Sequence, residues 1–227
     1  NDFKTKYNVY KILRKTWRLW KGRILFIAPE LIATPENFGV LALSNFRKRS
    51  SISWQSSIID LIQPETEIRK NLDGKWRNQL NRSEESRLEI IISKTEDSLL
   101  WLLKRYTDMK NEISFEGPSQ EFYSILCDIN KDYIVFQAIL DDKPIAGILI
   151  IKYHDSCIYQ IGWNNSVGRK VYANNLLLWN AIITMKKNGC ILFDTGGIDE
   201  VNTPGITKFK RGLRGDEYLL VGEWIVI

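Results

Sequence analysis

Between residues 133 and 163 the chain changes period, and few folds accommodate the resulting pattern. Segments 133–140, 145–153 and 157–163 are rich in Ile, Val, Tyr and Phe and have strand length. Only Asp141-Asp142-Lys143-Pro144 and His154-Asp155-Ser156 separate them, which predicts tight turns and an antiparallel meander. An apolar run at 176–183 comes next, too continuous for a helix with one wet side. Tyr172, Leu176, Ile183 and Met185 fit its buried side. Lys186 and Lys187 complement its C-terminal end and Gly189 stops it. Residues 190–193 then read as a short buried strand ending at Asp194.

Thr195, Gly196 and Gly197 follow, a turn that needs unusual backbone angles or lets something approach the main chain closely. A cationic cluster comes after it: Lys208, Lys210, Arg211 and Arg214, threaded by Phe209, Gly212 and Gly215. A helix, a buried strand and a glycine-rich basic loop make a binding platform.

The remaining segments are read from spacing. Residues 4–21 form a basic amphipathic helix, with Tyr7, Tyr10, Leu13, Trp17 and Trp20 on one side and Lys11, Arg14, Lys15, Arg18 and Lys21 as its charges. It serves either as an arm for phosphates or membrane, or as a helix docked on a domain with its charges in water. Gly22 ends it, and strands are expected at 23–28, 40–44, 57–62, 88–92 and 218–227. Residues 45–56 look like an exposed connection. A helix over 64–86, opened by Pro64 and bent near Gly74, turns Ile68, Leu72, Trp76 and Leu80 to the core. Lys75, Asn78, Gln79 and Arg82 lie on another face, with Arg77 at its edge. Helices are expected at 95–112 and 119–129, and a loop with free amides at 164–170.

Net charge of +5 and a pI near 9.0 suit an anionic partner such as nucleic acid, a phosphorylated precursor or the cytoplasmic membrane surface. Apolar runs fall short of the roughly 20 residues of a membrane span, and no leader-like stretch stands at the start, so a cytoplasmic location is expected. Cys127, Cys157 and Cys190 are odd in number and far apart, as expected of reduced thiols in a core. His154 is the only histidine, which argues against a His/Cys metal set and a Ser-His-Asp triad. Neither a Walker nor a dinucleotide glycine signature occurs.

Two stretches carry a family resemblance: Leu72-Asp-Gly-Lys-Trp-Arg-Asn-Gln-Leu-Asn-Arg-Ser-Glu-Glu-Ser86, and the helix with Asn175, Leu177, Leu178 and Trp179 followed by Asp194-Thr-Gly-Gly197 and Phe209-Lys-Arg-Gly212. With the element order, they resemble the GNAT acyltransferase superfamily in its Fem-type, FemAB-like peptidoglycan-bridge aminoacyltransferase branch. The resemblance covers about residues 57–227. It implies an α+β, GNAT-like fold: a mixed, mostly antiparallel sheet flanked by helices. Residues 46–227 would be the Fem-like acyltransferase domain and 1–45 the tail of a first GNAT-like domain, as in a fragment of a longer two-domain protein. Asn81 stands where many relatives have a basic residue, and Asn164-Asn-Ser-Val-Gly-Arg-Lys170 replaces the usual CoA pyrophosphate pattern.

The resemblance also implies the chemistry. Acyl transfer to an amine needs a positioned donor, a deprotonated amine and stabilisation of the oxyanion. Lys210 is expected to stabilise the oxyanion and Phe209 to line the acyl channel. Asp194 either orients the amine as a proton acceptor or caps the turn after it. Arg77, Lys75, Arg82 and Arg211 are candidates for a phosphate-bearing substrate. Gly196 and Gly197 offer backbone to it. Tyr159, Trp163 and Tyr172 either wall the groove or belong to the core. Gly168, Arg169 and Lys170 retain a capacity for donor phosphate. No metal and no tightly bound cofactor are expected; the donor is aminoacyl-tRNA or acyl-CoA. The acceptor would be an amine of a cell-envelope precursor, with tRNA as partner and peripheral contact at the inner face of the membrane. The rivals are an acyl-CoA-dependent N-acyltransferase acting on an amino sugar or small amine, and a non-catalytic RNA- or envelope-binding module.

Overall fold

A computed structural model of the chain describes residues 2–17, 24–50, 53–113 and 117–226. In chain order the elements are α1 (Phe3–Thr16), β1 (Leu25–Ile27), α2 (Pro35–Leu43), β2 (Arg47–Lys48), β3 (Gln55–Asp60), α3 (Glu65–Asn71), α4 (Gly74–Glu85), β4 (Glu89–Ser93), α5 (Glu96–Glu112) and α6 (Gln120–Asn130). Then come β5 (Tyr133–Leu140), β6 (Lys143–Tyr153), β7 (Ser156–Asn164), α7 (Ser166–Lys170), α8 (Ala173–Lys187), β8 (Leu192–Asp194), α9 (Pro204–Arg211), β9 (Asp216–Leu219) and β10 (Trp224–Val226). They divide into two compact units, one of Asn1–Ser56, Gly197–Asp199 and Glu217–Ile227, the other of Ser57–Gly196 and Glu200–Asp216.

In the smaller unit β10 is the middle strand of a three-stranded antiparallel sheet, between β1 and β2. The chain's last strand therefore completes the unit that its first residues begin. Leu41, Phe46, Val221, Trp224 and Val226 form the core, with Tyr10 and Leu13 of α1 against it. Residues 40–44, expected as a strand, are instead the last turn of α2. Thr34 caps that helix by accepting the Asn37 N–H at 3.2 Å, and Pro35 opens it. These start signals outweigh the β-branched Val40. The expected connection at 45–56 contains β2, and the expected last strand is split into β9 and β10 around Gly222 (φ 78°). Of the basic helix expected at 4–21, residues Arg18, Trp20, Lys21 and the terminating Gly22 lie outside the described residues, as do Arg23 and Ile227.

The larger unit is built on a sheet in the order β4-β5-β6-β7-β8-β3. Its pairs are antiparallel except β7 with β8, which run parallel. The meander predicted from the turn spacing is present, with αL residues Asp141, Asp142 and His154 making the turns. On one face α4 and α8 cover Ile148, Ile150, Phe136 and Phe193. On the other α5 and α6 cover Val135, Leu149, Ile151 and Ile161. Helix α8 is buried nearly all round, as an apolar run interrupted only by Asn180 requires. The three cysteines are free and buried.

Register along β7 shifts at one point. Leu149 pairs with Ile161 but Ile150 pairs with Tyr159, leaving Gln160 as an extra residue in β7. This bulge reverses the alternation, so Tyr159 joins the core under α4 and α8 whereas Ile161 and Trp163 join that under α5.

The long helix expected at 64–86 breaks at Leu72 and Asp73, one residue ahead of the expected bend. Asp73 restarts it by accepting the Lys75 N–H at 3.0 Å, so Gly74 opens α4. Residues 164–170, expected as a loop, form α7 because the Asn165 side chain caps it, accepting the Gly168 N–H at 2.8 Å. Phe209 to Arg211 likewise lie in helix α9 and not in a loop, since Pro204 sets the first helical turn.

Leu80 of α4 is fully buried in the core. Leu80→Ala is expected to cost about 2–5 kcal/mol in urea unfolding, and Arg82→Ala, two residues along on the exposed face, less than about 0.5 kcal/mol.

Candidate active site

The site begins where β7 and β8 part. They share three register pairs, the last being Ile158 with Asp194. There β8 stops, while β7 runs on to Asn164. The chain leaving β8 is fixed at once. Thr195 N–H donates to Ser57 O at 2.9 Å, and the two hydroxyls lie 2.8 Å apart in the interior. Asp194 Oδ1 accepts the Gly196 N–H at 2.7 Å, closing an Asx turn. Gly196 has φ +75°, and a Cβ there would lie 2.3 Å from the Tyr159 carbonyl oxygen. Glycine is required for both reasons.

Onto this turn α9 brings Lys210. Thr207 and Lys210, one turn apart, are the buried side of the helix. Lys210 is 7% exposed, and its Nζ lies 5.3 Å from the centroid of the Tyr159 ring and 3.2 Å from where a Gly196 Cβ would stand. Burial lowers its pKa from 10.5 to about 8, against the opposing attraction of the Asp194 carboxylate. At pH 7 it remains mostly an ammonium, a cation withdrawn from water with three donors. Such a group suits a position where negative charge develops during a reaction. Burial also raises the Tyr159 pKa, keeping the phenol neutral. Its hydroxyl occupies the space that a side chain at Gly162 would fill.

Beside this pair, Phe209 packs on Trp76 of α4 with ring centroids 5.9 Å apart. A Cβ at Gly212 would meet Trp76 Cδ1 at 2.5 Å, and Gly212 O accepts the Asp73 N–H at 2.9 Å. Arg214 reaches Asp73 at 3.0 Å. The end of α9 is thus held against the start of α4. Trp76 Nε1 is buried with no acceptor among the described residues.

The sequence-derived candidates divide accordingly. Lys210, Asp194, Gly196 and Tyr159 come together, with Phe209 next to them on α9. Arg77 is half-buried and donates to Lys70 O at 2.9 Å, while Lys75 and Arg82 are exposed on α4. Arg211 pairs with Glu200 at 3.1 Å. Trp163 stands edge-on to Trp101 at 5.7 Å under the Arg105 guanidinium, on the opposite face of the sheet from Tyr159. Tyr172 is the N-cap of α8, in the left-handed region at φ 56°. Gly197 belongs to the smaller unit, against Trp54. Gly168 gives its N–H to Asn165 and would clash with Ile145 O if it bore a side chain; Arg169 and Lys170 are exposed.

Ser57 and Thr207 were not singled out from sequence, and Thr195 only as part of the turn; all three are buried. Ser57 and Thr195 are 138 residues apart, so no local pattern links them. The orphaned Trp76 N–H was hidden by the indole's correct reading as a core residue. Among the described residues no group of three or more His, Cys, Asp or Glu gathers as a metal set.

This fold, a mostly antiparallel sheet flanked by helices in which two parallel strands part, is that of a GNAT-type acyltransferase. Residues 67–211, more than half of the chain, match the family model described as the acetyltransferase (GNAT) domain, and the chain belongs to that family. Among solved structures it is similar to FemX, at a TM-score of 0.82 and 11% identity over 100% of this chain and 78% of that one. It also resembles the C-terminal domain of a putative lysylphosphatidylglycerol synthetase from Agrobacterium fabrum, at 0.61 and 11% identity over 96% and 71%. L-PGS from Bacillus licheniformis matches at 0.58 and 12% identity over 91% and 68%. At these identities the likenesses establish a Fem-type GNAT fold. No curated protein sequence matches the chain.

Lys210 pays for its burial in folding free energy. With the folded pKa below the unfolded one, the folded state holds fewer protons between about pH 8 and 10.5, so stability rises with pH across that window. The cost below pH 8 is on the order of 3 kcal/mol. Lys210→Met should therefore gain relative to wild type at pH 7, and the gap should close toward pH 10, as thermal denaturation at several pH values would reveal.

Proposed function

We propose that the protein transfers an aminoacyl group from aminoacyl-tRNA to an amine of a cell-envelope precursor. The observation that carries this reading is the desolvated Lys210 ammonium over Tyr159, beside the turn that Asp194 closes. The amine nitrogen of the acceptor attacks the ester carbonyl, a C–N bond forms and charge collects on the carbonyl oxygen. Lys210 donates to that oxyanion. Its collapse breaks the C–O bond to the ribose, and the proton lost by nitrogen ends on the leaving oxygen. Phe209 and Trp76 supply an apolar wall, with the indole N–H as a donor for a substrate carbonyl. Asp194 acts mainly by holding the turn and by its field on Lys210.

One feature supports tRNA over acyl-CoA as donor: the amide of Gly168 is already taken by Asn165, so α7 offers that N–H to no phosphate. Transfer from acyl-CoA to an amino sugar or small amine is the second reading, favoured by the match to the acetyltransferase domain model.

The test is transfer of labelled acyl group from charged tRNA or from acetyl-CoA to an amine-bearing envelope precursor. Aminoacyl transfer is expected, with Lys210→Ala lowering kcat about 10²–10³-fold at nearly unchanged donor affinity. In wild type kcat/KM should fall as pH rises through about 8, where Lys210 loses its proton. Turnover with acetyl-CoA alone would establish the second reading. Donor binding that survives Lys210→Ala, without turnover in either protein, would mean a binding module.

A further inference from the structure

We infer that α1 is a docking surface for an anionic lipid bilayer, on which the smaller unit rests peripherally. This does not depend on the donor or acceptor named above. The charge of the chain is unevenly divided. The smaller unit contains 11 Lys and Arg against 6 Asp and Glu, and the larger 21 against 21, so the net +5 resides entirely in the smaller unit. Helix α1 contributes five of those basic residues and contains no acidic one.

At roughly 100° per residue the helix has two distinct sides. Tyr10 and Leu13 pack on the core with Leu41 and Phe46, Tyr10 meeting the Phe46 ring edge-on at 6.0 Å, and Lys6 donates to Asn37 at 2.8 Å. The far side is exposed throughout. Val9 and Ile12 are 56% and 64% exposed, flanked along one edge by Lys4, Lys11 and Lys15. Lys11 reaches back over the Tyr7 ring at 5.3 Å. Trp17 at the C-cap is exposed as well.

The mixture of apolar and basic residues on one face selects the partner. A protein covering Val9 and Ile12 would have to desolvate the neighbouring ammonium groups. Nucleic acid would pair with the lysines but gain nothing from exposed Val and Ile. A bilayer interface satisfies both: the short apolar side chains enter the acyl boundary while lysine stems reach up to anionic headgroups. No helix among the described residues is long and apolar enough to cross a membrane, and α1 would lie in the interface plane. With two short apolar side chains, attachment depends on anionic lipid and is reversible.

The experiment is flotation of the full chain with vesicles of phosphatidylcholine, with and without phosphatidylglycerol, across a salt series. Binding is expected only with phosphatidylglycerol, weakening with salt. Lys4→Glu/Lys11→Glu and Val9→Ser/Ile12→Ser should each weaken it about tenfold or more. All these positions are exposed, so the thermal transition and transfer activity in a lipid-free assay should not move; unaltered activity with lost flotation separates this surface from the active site. Absence of binding to phosphatidylglycerol vesicles would overturn the inference. So would binding that the Val9/Ile12 variant leaves intact, since the contact would then be electrostatic only. Salt-sensitive binding to RNA, lost in the lysine variant and retained with Val9→Ser/Ile12→Ser, in a chain that ignores vesicles would reassign the face to nucleic acid.

Discussion

Burying an ammonium group costs free energy that neighbouring interactions must offset, and the larger unit is arranged around one such group. Lys210 is kept from water by the Tyr159 ring, by the glycine turn after β8 and by its own helix. Each support has a cause further back in the chain. The turn is set by the Asp194 carboxylate and by the paired hydroxyls of Ser57 and Thr195. Tyr159 takes its face from regular alternation with Cys157 in β7. The helix is anchored through Gly212 and Asp73 to α4. Removing any of these would let water reach the cation, and a hydrated charge acts on its neighbours far less strongly.

The parting of β7 and β8 is the other half of the arrangement. Main-chain groups of β7 beyond Ile158 have no β8 beside them, because the chain leaves the sheet at Asp194. The bulge that follows Tyr159 sends Trp163 to the opposite face, into an aromatic cluster with Trp101 and Arg105. One inserted residue thereby separates two aromatics that strict alternation would have placed together.

Much of this was legible beforehand where the signal is local. The meander, α5, α6 and α8 follow from periodicity, length and caps, and all lie close to their expected bounds. Segments whose state depends on a cap or a first-turn proline went differently: residues 40–44 became helix under the Thr34 cap, and the expected loops at 164–170 and around Phe209 became α7 and α9. For these short segments propensity is weak and one side-chain hydrogen bond tips the balance. At the site, Lys210 was reached through its motif, whereas the Ser57–Thr195 pair and the orphaned Trp76 N–H had no sequence signal.

By itself the sequence determined which segments must be buried, where turns fall, that the chain is basic, and which motif holds Lys210. Those properties are fixed by residue type and by spacing over a few positions. Only the tertiary structure decided that β10 completes a sheet with β1 and β2, that the excess charge sits in one unit, that Tyr159 and not Trp163 faces Lys210, and that Lys210 has a pKa near 8. Each of these depends on residues far apart in sequence being brought within a few ångströms, and desolvation of a charge exists only once the chain has closed around it.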